Sequence, residues 1–502
     1  MSTHTDTRLL SNYIGGRWVA STASDQLDVQ NPATGETLAR VPLSGAADVD
    51  AAVKAARDAF PEWRRRPTIE RARWLFGFRQ AVEAHADELA RSVTREMGKT
   101  LPDARAEVGR AIEMVEAASA IPQTMQGRIL ENVATNVDCE TIRQPVGVCA
   151  AVVPFNFPAM VPFWFLPFAI ACGNTFVLKP SEQVPLTQEL VFNLIDEAGG
   201  LPDGVVNLVN GSVDVVNGLL DHPGVDAISF VGSAKVARYV YERAAANGKR
   251  VQALGGAKNF MVVMPDAVMP KTVSNIIGSA FGAAGQRCMA GSVVVAVGDA
   301  KRPLLDELVA RTAELSVGDG LEQGVDVGPV VSGAARDRIM EWIERGVEGG
   351  ATLAVDGRGP EANPDGAFVG PTILDGVTPD MDVAREEIFG PVLSVIHAAS
   401  LDEAIDIVNG SAYGNGTSIF TESGAAVRRY RHDVEVGMVG VNIGVAAPVA
   451  FFPFSGWKGS FFGDLHAHGP DAVEFYTRKK TITSRYFSGG ETGTFFVESS
   501  SD

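Results

Sequence analysis

Residues 146–158 read Val-Gly-Val-Cys-Ala-Ala-Val-Val-Pro-Phe-Asn-Phe-Pro, a run of small and β-branched side chains stopped by two prolines. Apolar residues at consecutive rather than alternate positions suit a strand covered on both faces, as in a parallel sheet. The apolar stretch 159–171 that follows contains Pro162 and Pro167 and falls short of the roughly 20 residues that span a bilayer, so it reads as a buried helix with kinks. A second strand, 175–179, ends in Lys179. Strand, helix and strand in succession are the unit of a doubly wound α/β protein, and the pattern runs on in both directions. Strands are predicted over 146–153, 175–179, 205–209, 227–231, 260–264, 292–297, 392–396, 416–420 and 438–442. Helices are predicted over 48–64, 69–98, 103–120, 187–198, 233–246, 271–283, 303–315, 333–348, 402–408 and 423–432.

At 502 residues the chain exceeds what one hydrophobic core serves, so more than one subdomain is expected. Hydrophobic residues at 46% and charged residues at 21% exclude a disordered or fibrous protein. The formal net charge of −18, without a Lys/Arg cluster, argues against a nucleic-acid or anionic-membrane partner, and any anionic ligand must be met by local cations. The first residues, Met-Ser-Thr-His-Thr-Asp-Thr-Arg, lack the basic-then-apolar layout of a signal peptide, and a cytoplasmic address is expected. The four cysteines, at 139, 149, 172 and 288, include no C-x-x-C pair, and no metal site is expected. His466 and His468 read as part of a solvated loop.

The chemistry gathers on residues 281–290, Phe-Gly-Ala-Ala-Gly-Gln-Arg-Cys-Met-Ala. A thiol in a glycine-rich turn with a guanidinium beside it, at Arg287, can lose its proton more easily than a free cysteine, which makes Cys288 a candidate nucleophile. Alone, such a cysteine is more often an inert buried side chain. Asn156 between its two prolines, Lys179 and Glu182 in Phe-Val-Leu-Lys-Pro-Ser-Glu, and Glu-Glu-Ile-Phe-Gly-Pro at 386–391 give it company. A G-x-G-x-x-G fingerprint is absent. In its place, Ser229-Phe-Val-Gly-Ser233 leaves a strand at Gly232 and enters a helix near Ser233, where free N–H groups favour a phosphate oxygen.

Taken together and in this order, these segments resemble the NAD(P)-dependent aldehyde dehydrogenase superfamily, from about Asn12 to about Phe487. The resemblance implies two doubly wound, Rossmann-type subdomains plus a β oligomerisation arm. It places an NAD-binding domain at 1–123 and 144–254, a catalytic domain at 255–455, the arm and a C-terminal strand at 124–143 and 456–487, and a mobile tail at 488–502. Thr135–Arg143 and Arg478–Phe487 would pair with a neighbouring subunit in a homo-oligomer, a dimer or tetramer, while Asn12–Ala20 reads as a hairpin. The resemblance also implies that Cys288 adds to an aldehyde and that Asn156, with the Cys288 N–H, receives the oxyanion. Lys179 and Glu182 would hold the adenosine ribose, Glu182 favouring NAD over NADP by repelling a 2′-phosphate. Glu387 would hold the nicotinamide ribose with Phe389 behind the ring, and Val153, Phe155 and Gly255 would complete the cofactor site.

Hydrolytic members carry Leu-Glu-Leu-Gly-Gly, whose glutamate activates water; this chain reads Gln252-Ala-Leu-Gly-Gly-Ala-Lys-Asn259, with alanine at 253. Loss of a general base costs on the order of a hundredfold or more, whereas a thiol attacks a thioester with less help. Coenzyme A is therefore the expected acceptor. Gly-Ala-Lys-Asn, Val-Val-Met-Pro-Asp at 262–266 and the ending Phe-Tyr-Thr-Arg-Lys-Lys-Thr-Ile-Thr-Ser are similar to the CoA-acylating branch of the family. That branch converts methylmalonate or malonate semialdehyde to propionyl-CoA or acetyl-CoA with loss of carbon dioxide. Arg110 and Arg287 are the candidate partners of the substrate carboxylate, although Arg110 reads equally well as a solvated helix residue. A hydrolytic semialdehyde dehydrogenase giving a free acid, and a non-catalytic NAD-binding protein on the same fold, are the alternatives.

Overall fold

A computed structural model describes residues 7–360 and 362–487; the tail expected at 488–502 lies outside the described residues. Two large sheets organise the chain. In the first, five strands, Val206–Leu208, Thr175–Lys179, Val148–Val152, Ala227–Val231 and Arg250–Leu254, lie side by side in parallel. The second places Thr372–Asp375, Val392–Ala398, Gly291–Val297, Asn259–Val263, Gly416–Phe420 and Met438–Val441 in parallel, with Thr352–Val355 antiparallel at one edge.

The continuous apolar runs follow from cover on both faces. Cys149 and Ala151 point into a core shared with the helices Thr68–Ala84, Leu101–Ser119 and Met160–Ala171. Val148, Ala150 and Val152 point the other way, against Ala46–Trp63, Val213–Asp221 and Ala234–Ala246. Every residue of Val148–Val152, Thr175–Lys179 and Ala227–Val231 is buried. Met160–Ala171 is a single helix, buried beyond its first residue, with Pro167 inside. Among the described residues no helix is long and apolar enough to cross a membrane.

The helix predicted over 69–98 is two helices, Thr68–Ala84 and Ala86–Met97. His85 breaks it at φ −107°, ψ 17°, and its Nδ1 lies 3.0 Å from the Ala81 carbonyl. Asp87 and Glu88 in the next first turn favour a fresh helix start. The residues Asn12–Tyr13 and Trp18–Val19 pair as a hairpin, which adds to the first sheet through Tyr13 and Leu208. Within the chain, Val137–Pro145 pairs along its whole length with Thr477–Arg485, and Arg128–Ala134 completes a three-stranded sheet. The two segments expected to face a neighbouring subunit thus face each other. Phe461–Phe462 joins the first sheet beside Arg250–Leu254.

Only Gly255 to Lys258 separate the strand Arg250–Leu254 from Asn259–Val263. The carboxyl ends of the first sheet therefore look onto the amino ends of the second, and the turns at 153–159, 179–182, 285–290 and 386–391 meet there. Open parallel sheets collect ligands at the carboxyl ends of their strands.

Candidate active site

The helix Met269–Phe281 stops at a turn in which Ala283 (φ 50°), Ala284 (φ 52°) and Gly285 (φ 70°) are all left-handed. That conformation costs an alanine roughly 1–2 kcal/mol, so the turn stores strain held by its surroundings. Asp103 accepts the Ala283 N–H at 2.9 Å, and a Cβ on Gly285 would sit 2.2 Å from the Gly390 carbonyl oxygen. Just beyond, the Cys288 carbonyl accepts from Asn259 Nδ2 (2.8 Å) and Asn415 Nδ2 (3.0 Å). The Cys288 side chain lines a cavity of about 70 Å³ with Arg110, Phe157, Trp164, Arg287 and His468.

Arg287 draws the Cys288 pKa down, as the sequence suggests, yet too weakly to decide it. Its Nη2 pairs with Asp103 at 2.6 Å and its Nη1 donates to the Gly278 carbonyl at 3.2 Å, while burial and the Glu387 carboxylate push the thiol up to about 12. In this state Cys288 is a thiol.

Asn156 is buried and donates from Nδ2 to the Gln286 carbonyl at 3.0 Å, two residues before Cys288. An amide nitrogen carries two hydrogens, and among the described residues the second has no protein acceptor. Two residues that the sequence reading passed over stand behind it. Lys99 Nζ donates to the Asn156 carbonyl and to Glu107 Oε2, both at 2.6 Å, and lies 3.9 Å over the Phe157 ring. Glu107 Oε1 accepts from the Ala159 and Met160 N–H groups. The available signal was the spacing of Asp103, Glu107 and Arg110, which puts all three on one face of Leu101–Ser119. Arg110 reaches the cavity wall, with Nη1 on Glu113 at 2.5 Å and Nη2 on the Pro448 carbonyl.

On the side of the first sheet, the Val153 N–H donates to the Lys179 carbonyl at 3.1 Å, and Lys179 Nζ pairs with Glu182 at 2.6 Å. Burial pulls the Lys179 pKa down against the pull of Glu182. Ser233 precedes Ala234–Ala246 without capping it, so among the described residues no side chain caps that helix's first N–H groups. A Cβ on Gly232 would meet the Phe230 ring at 2.5 Å, and one on Gly255 the Gly459 carbonyl oxygen at 2.9 Å. From the second sheet, Glu387 accepts the Ala257 N–H at 3.1 Å, and burial raises its pKa to about 7. Phe389, at φ 56°, meets Phe155 edge-on with ring centres 5.7 Å apart. These groups suit a dinucleotide: open helix N–H groups for phosphate, a Lys–Glu pair for ribose hydroxyls and an aromatic pair beside Glu387.

Ala253 lies buried in its strand, paired with Phe230 on one side and Phe462 on the other, and offers no base. His468 is not in a solvated loop: it is buried, at φ 46°, its Nδ1 has no partner among the described residues, and desolvation pulls it down to about 4. His466 is half-buried, with Nδ1 3.0 Å from Asp471. Among the described residues no group of three or more His, Cys, Asp or Glu side chains is placed to hold a metal.

Two facing sheets with a nucleotide-ready crevice and a cysteine turn across it are the frame of a dinucleotide-dependent oxidoreductase. The profile of the aldehyde dehydrogenase family matches residues 18–482, and the chain belongs to that family as an NAD-dependent aldehyde oxidoreductase. It is 54% identical over 487 residues to malonate-semialdehyde dehydrogenase 3 of Geobacillus kaustophilus (strain HTA426), covering 96% of this chain and 100% of that one. Among solved structures, methylmalonate-semialdehyde dehydrogenase (DddC) from Oceanimonas doudoroffii superposes with a TM-score of 0.94 at 47% identity, over 96% of this chain and 99% of the other. A candidate methylmalonate-semialdehyde dehydrogenase from Sinorhizobium meliloti 1021, solved in complex with NAD, gives 0.95 at 44% identity, over 97% and 99%.

Proposed function

We propose that this enzyme oxidises malonate or methylmalonate semialdehyde with NAD, releases carbon dioxide and passes the acyl group to coenzyme A, through a thioester on Cys288. The observation that carries this reading is the cavity in which Cys288 shares its walls with Arg110 and Arg287. Two guanidiniums beside the nucleophile suit an aldehyde that also bears a carboxylate. The names of the relatives point to the same substrate class.

The Cys288 sulfur attacks the aldehyde carbon as its proton passes to solvent, the carbonyl oxygen becomes an alkoxide, and collapse of that alkoxide expels the aldehyde hydrogen as hydride. The free N–H of Asn156 and the Cys288 N–H stabilise that charge; one such donor is worth about 10²–10³ in rate. Bound NAD supplies the hydride acceptor and a positive ring that favours the thiolate. The product is an acyl thioester whose carboxylate stands β to the carbonyl. Loss of carbon dioxide sends the freed electron pair into the thioester as an enolate, which the same donors hold until a proton returns. The thiol of coenzyme A then attacks the thioester carbon and Cys288 leaves as thiolate. Water is the poorer acceptor, because position 253 holds a buried alanine.

Lys179, Glu182, Gly232, Ser233, Gly255, Val153, Phe155, Glu387 and Phe389 would bind NAD, within a nucleotide domain and a catalytic domain divided near Gly255. Exposed apolar residues at Ile129, Leu130, Phe451 and Phe452 favour a homo-oligomer. Four cysteines without a disulfide among them accord with the reducing cytoplasm. Hydrolysis to a free acid is the second reading, and Glu387 favours it: its charge reaches Cys288, and a carboxyl titrating at about 7 can serve as a base.

Mass spectrometry of enzyme quenched after mixing with malonate semialdehyde and NAD tests the thioester. An acetyl adduct on the Cys288 peptide, cleared on adding coenzyme A, is expected. Absence of any adduct while NADH forms would contradict it.

A further inference from the structure

Lys99 and Glu107 are the most deeply buried ion pair among the described residues, both side chains having no exposed surface. Two charges are costly to desolvate, and such a pair is weak evidence for stability in itself. What it touches gives it a use. The Lys99 ammonium makes only short contacts to fixed groups: Glu107, the Phe157 ring and the main-chain carbonyl of Asn156. Glu107 takes the N–H groups of Ala159 and Met160, where the Asn156 turn enters the helix Met160–Ala171. Four residues earlier on the same helix, Asp103 takes Ala283 N–H and Arg287 in the nucleophile turn. One rigid helix thus holds both turns, which meet at the Asn156–Gln286 bond.

We propose that Lys99 and Glu107 are positioning residues of the oxyanion site, clamping the backbone of Asn156 so that its amide stands at a fixed place relative to Cys288. The opposite charges lie 2.6 Å apart and largely cancel at a distance, so the pair acts through geometry. An oxyanion donor has to lie within a few tenths of an ångström of its productive place, and a side chain between two prolines has no regular secondary structure to hold it. The proposal rests on the reading of Asn156 as the oxyanion donor.

A mutant cycle tests it, read by the single-turnover rate of NADH formation from malonate semialdehyde, which does not depend on how the acyl group later leaves. The variant is Lys99→Met with Glu107→Gln, which removes both charges together at near-constant volume and leaves an amide oxygen for Ala159 and Met160. The expected result is a rate loss of at least about tenfold with the KM for NAD unchanged, and no further loss when the same pair is changed in Asn156→Ala. An unchanged rate, or an equal loss in both backgrounds, overturns the proposal. Should circular dichroism show the double variant unfolded, Lys99→Arg, which keeps the charge and displaces the donors, is read by the same criterion. Asn156→Ala at full rate would instead overturn the oxyanion reading beneath it.

Discussion

With its thiol held at about 12 by burial and by Glu387, Cys288 waits in protonated form. A thiol with a raised pKa is uncharged below that value and becomes nucleophilic only as pH climbs towards it. Iodoacetamide alkylation of the NAD-free enzyme should therefore keep accelerating beyond about pH 9.5, where the rate of a free thiol with a pKa of about 8.5 levels off. Glu387→Gln, which removes the opposing charge, should bring the inflection down, and added NAD should do the same. A plateau at or below about 9.5 in the NAD-free wild type would contradict this account. Arg110→Ala should raise the KM for malonate semialdehyde by about ten- to a hundredfold, the worth of a hydrogen bond to a charged group, and leave that for propanal nearly unchanged. Equal effects on both aldehydes would return Arg110 to a structural role with Glu113 and Pro448. At this scale the motif residues, Cys288, Asn156, Lys179 and Glu387, were legible in the sequence because each sits in a distinctive short string. The groups that hold them were not. Lys99 falls between the helices predicted over 69–98 and 103–120, and Glu107 is one of several glutamates on the second, and no one-dimensional spacing shows that a lysine is buried under an asparagine turn.

Elements carried by local pattern lie where the sequence puts them: Thr175–Lys179, Ala227–Val231 and Gly416–Phe420 match their predicted spans, as continuous apolar runs between turn residues must when both faces are covered. The break at His85 escaped because apolar residues recur at helical spacing on both sides of it, at Leu75, Phe78, Val82 and then Leu89, Val93. Pairing of Val137–Pro145 with Thr477–Arg485 escaped because it joins segments far apart in the chain. The nucleophile turn is the most exacting element. Gly285→Ala would place a methyl 2.2 Å from the Gly390 carbonyl and hold alanine at φ 70°. It should cost roughly 2 kcal/mol or more in urea unfolding and slow NADH formation by over tenfold. A variant with unaltered midpoint and rate would show that the turn tolerates a shift at Cys288.

At the scale of the molecule, the four-residue link Gly255–Lys258 brings the carboxyl ends of one sheet onto the amino ends of the other, so that the Lys179 and Ser233 turns of one face the cysteine turn of the other. Exposed apolar side chains stand at Ile129 and Leu130 on the three-stranded sheet and at Phe451 and Phe452 on the loop before Phe454. Light scattering should accordingly give a mass that is a multiple of 53.1 kDa, falling towards 53.1 kDa when Ile129 and Leu130 are both changed to lysine. A monomeric wild type would contradict that. The whole arrangement leaves two guanidiniums in the cavity that Cys288 lines and no glutamate at position 253. The most direct measurement of this account is multiple-turnover NADH formation from malonate semialdehyde and NAD, with and without coenzyme A. Sustained turnover only with coenzyme A, yielding acetyl-CoA and carbon dioxide, is the predicted result; steady turnover without it, yielding free acid, would contradict the account and make Glu387 the base that activates water.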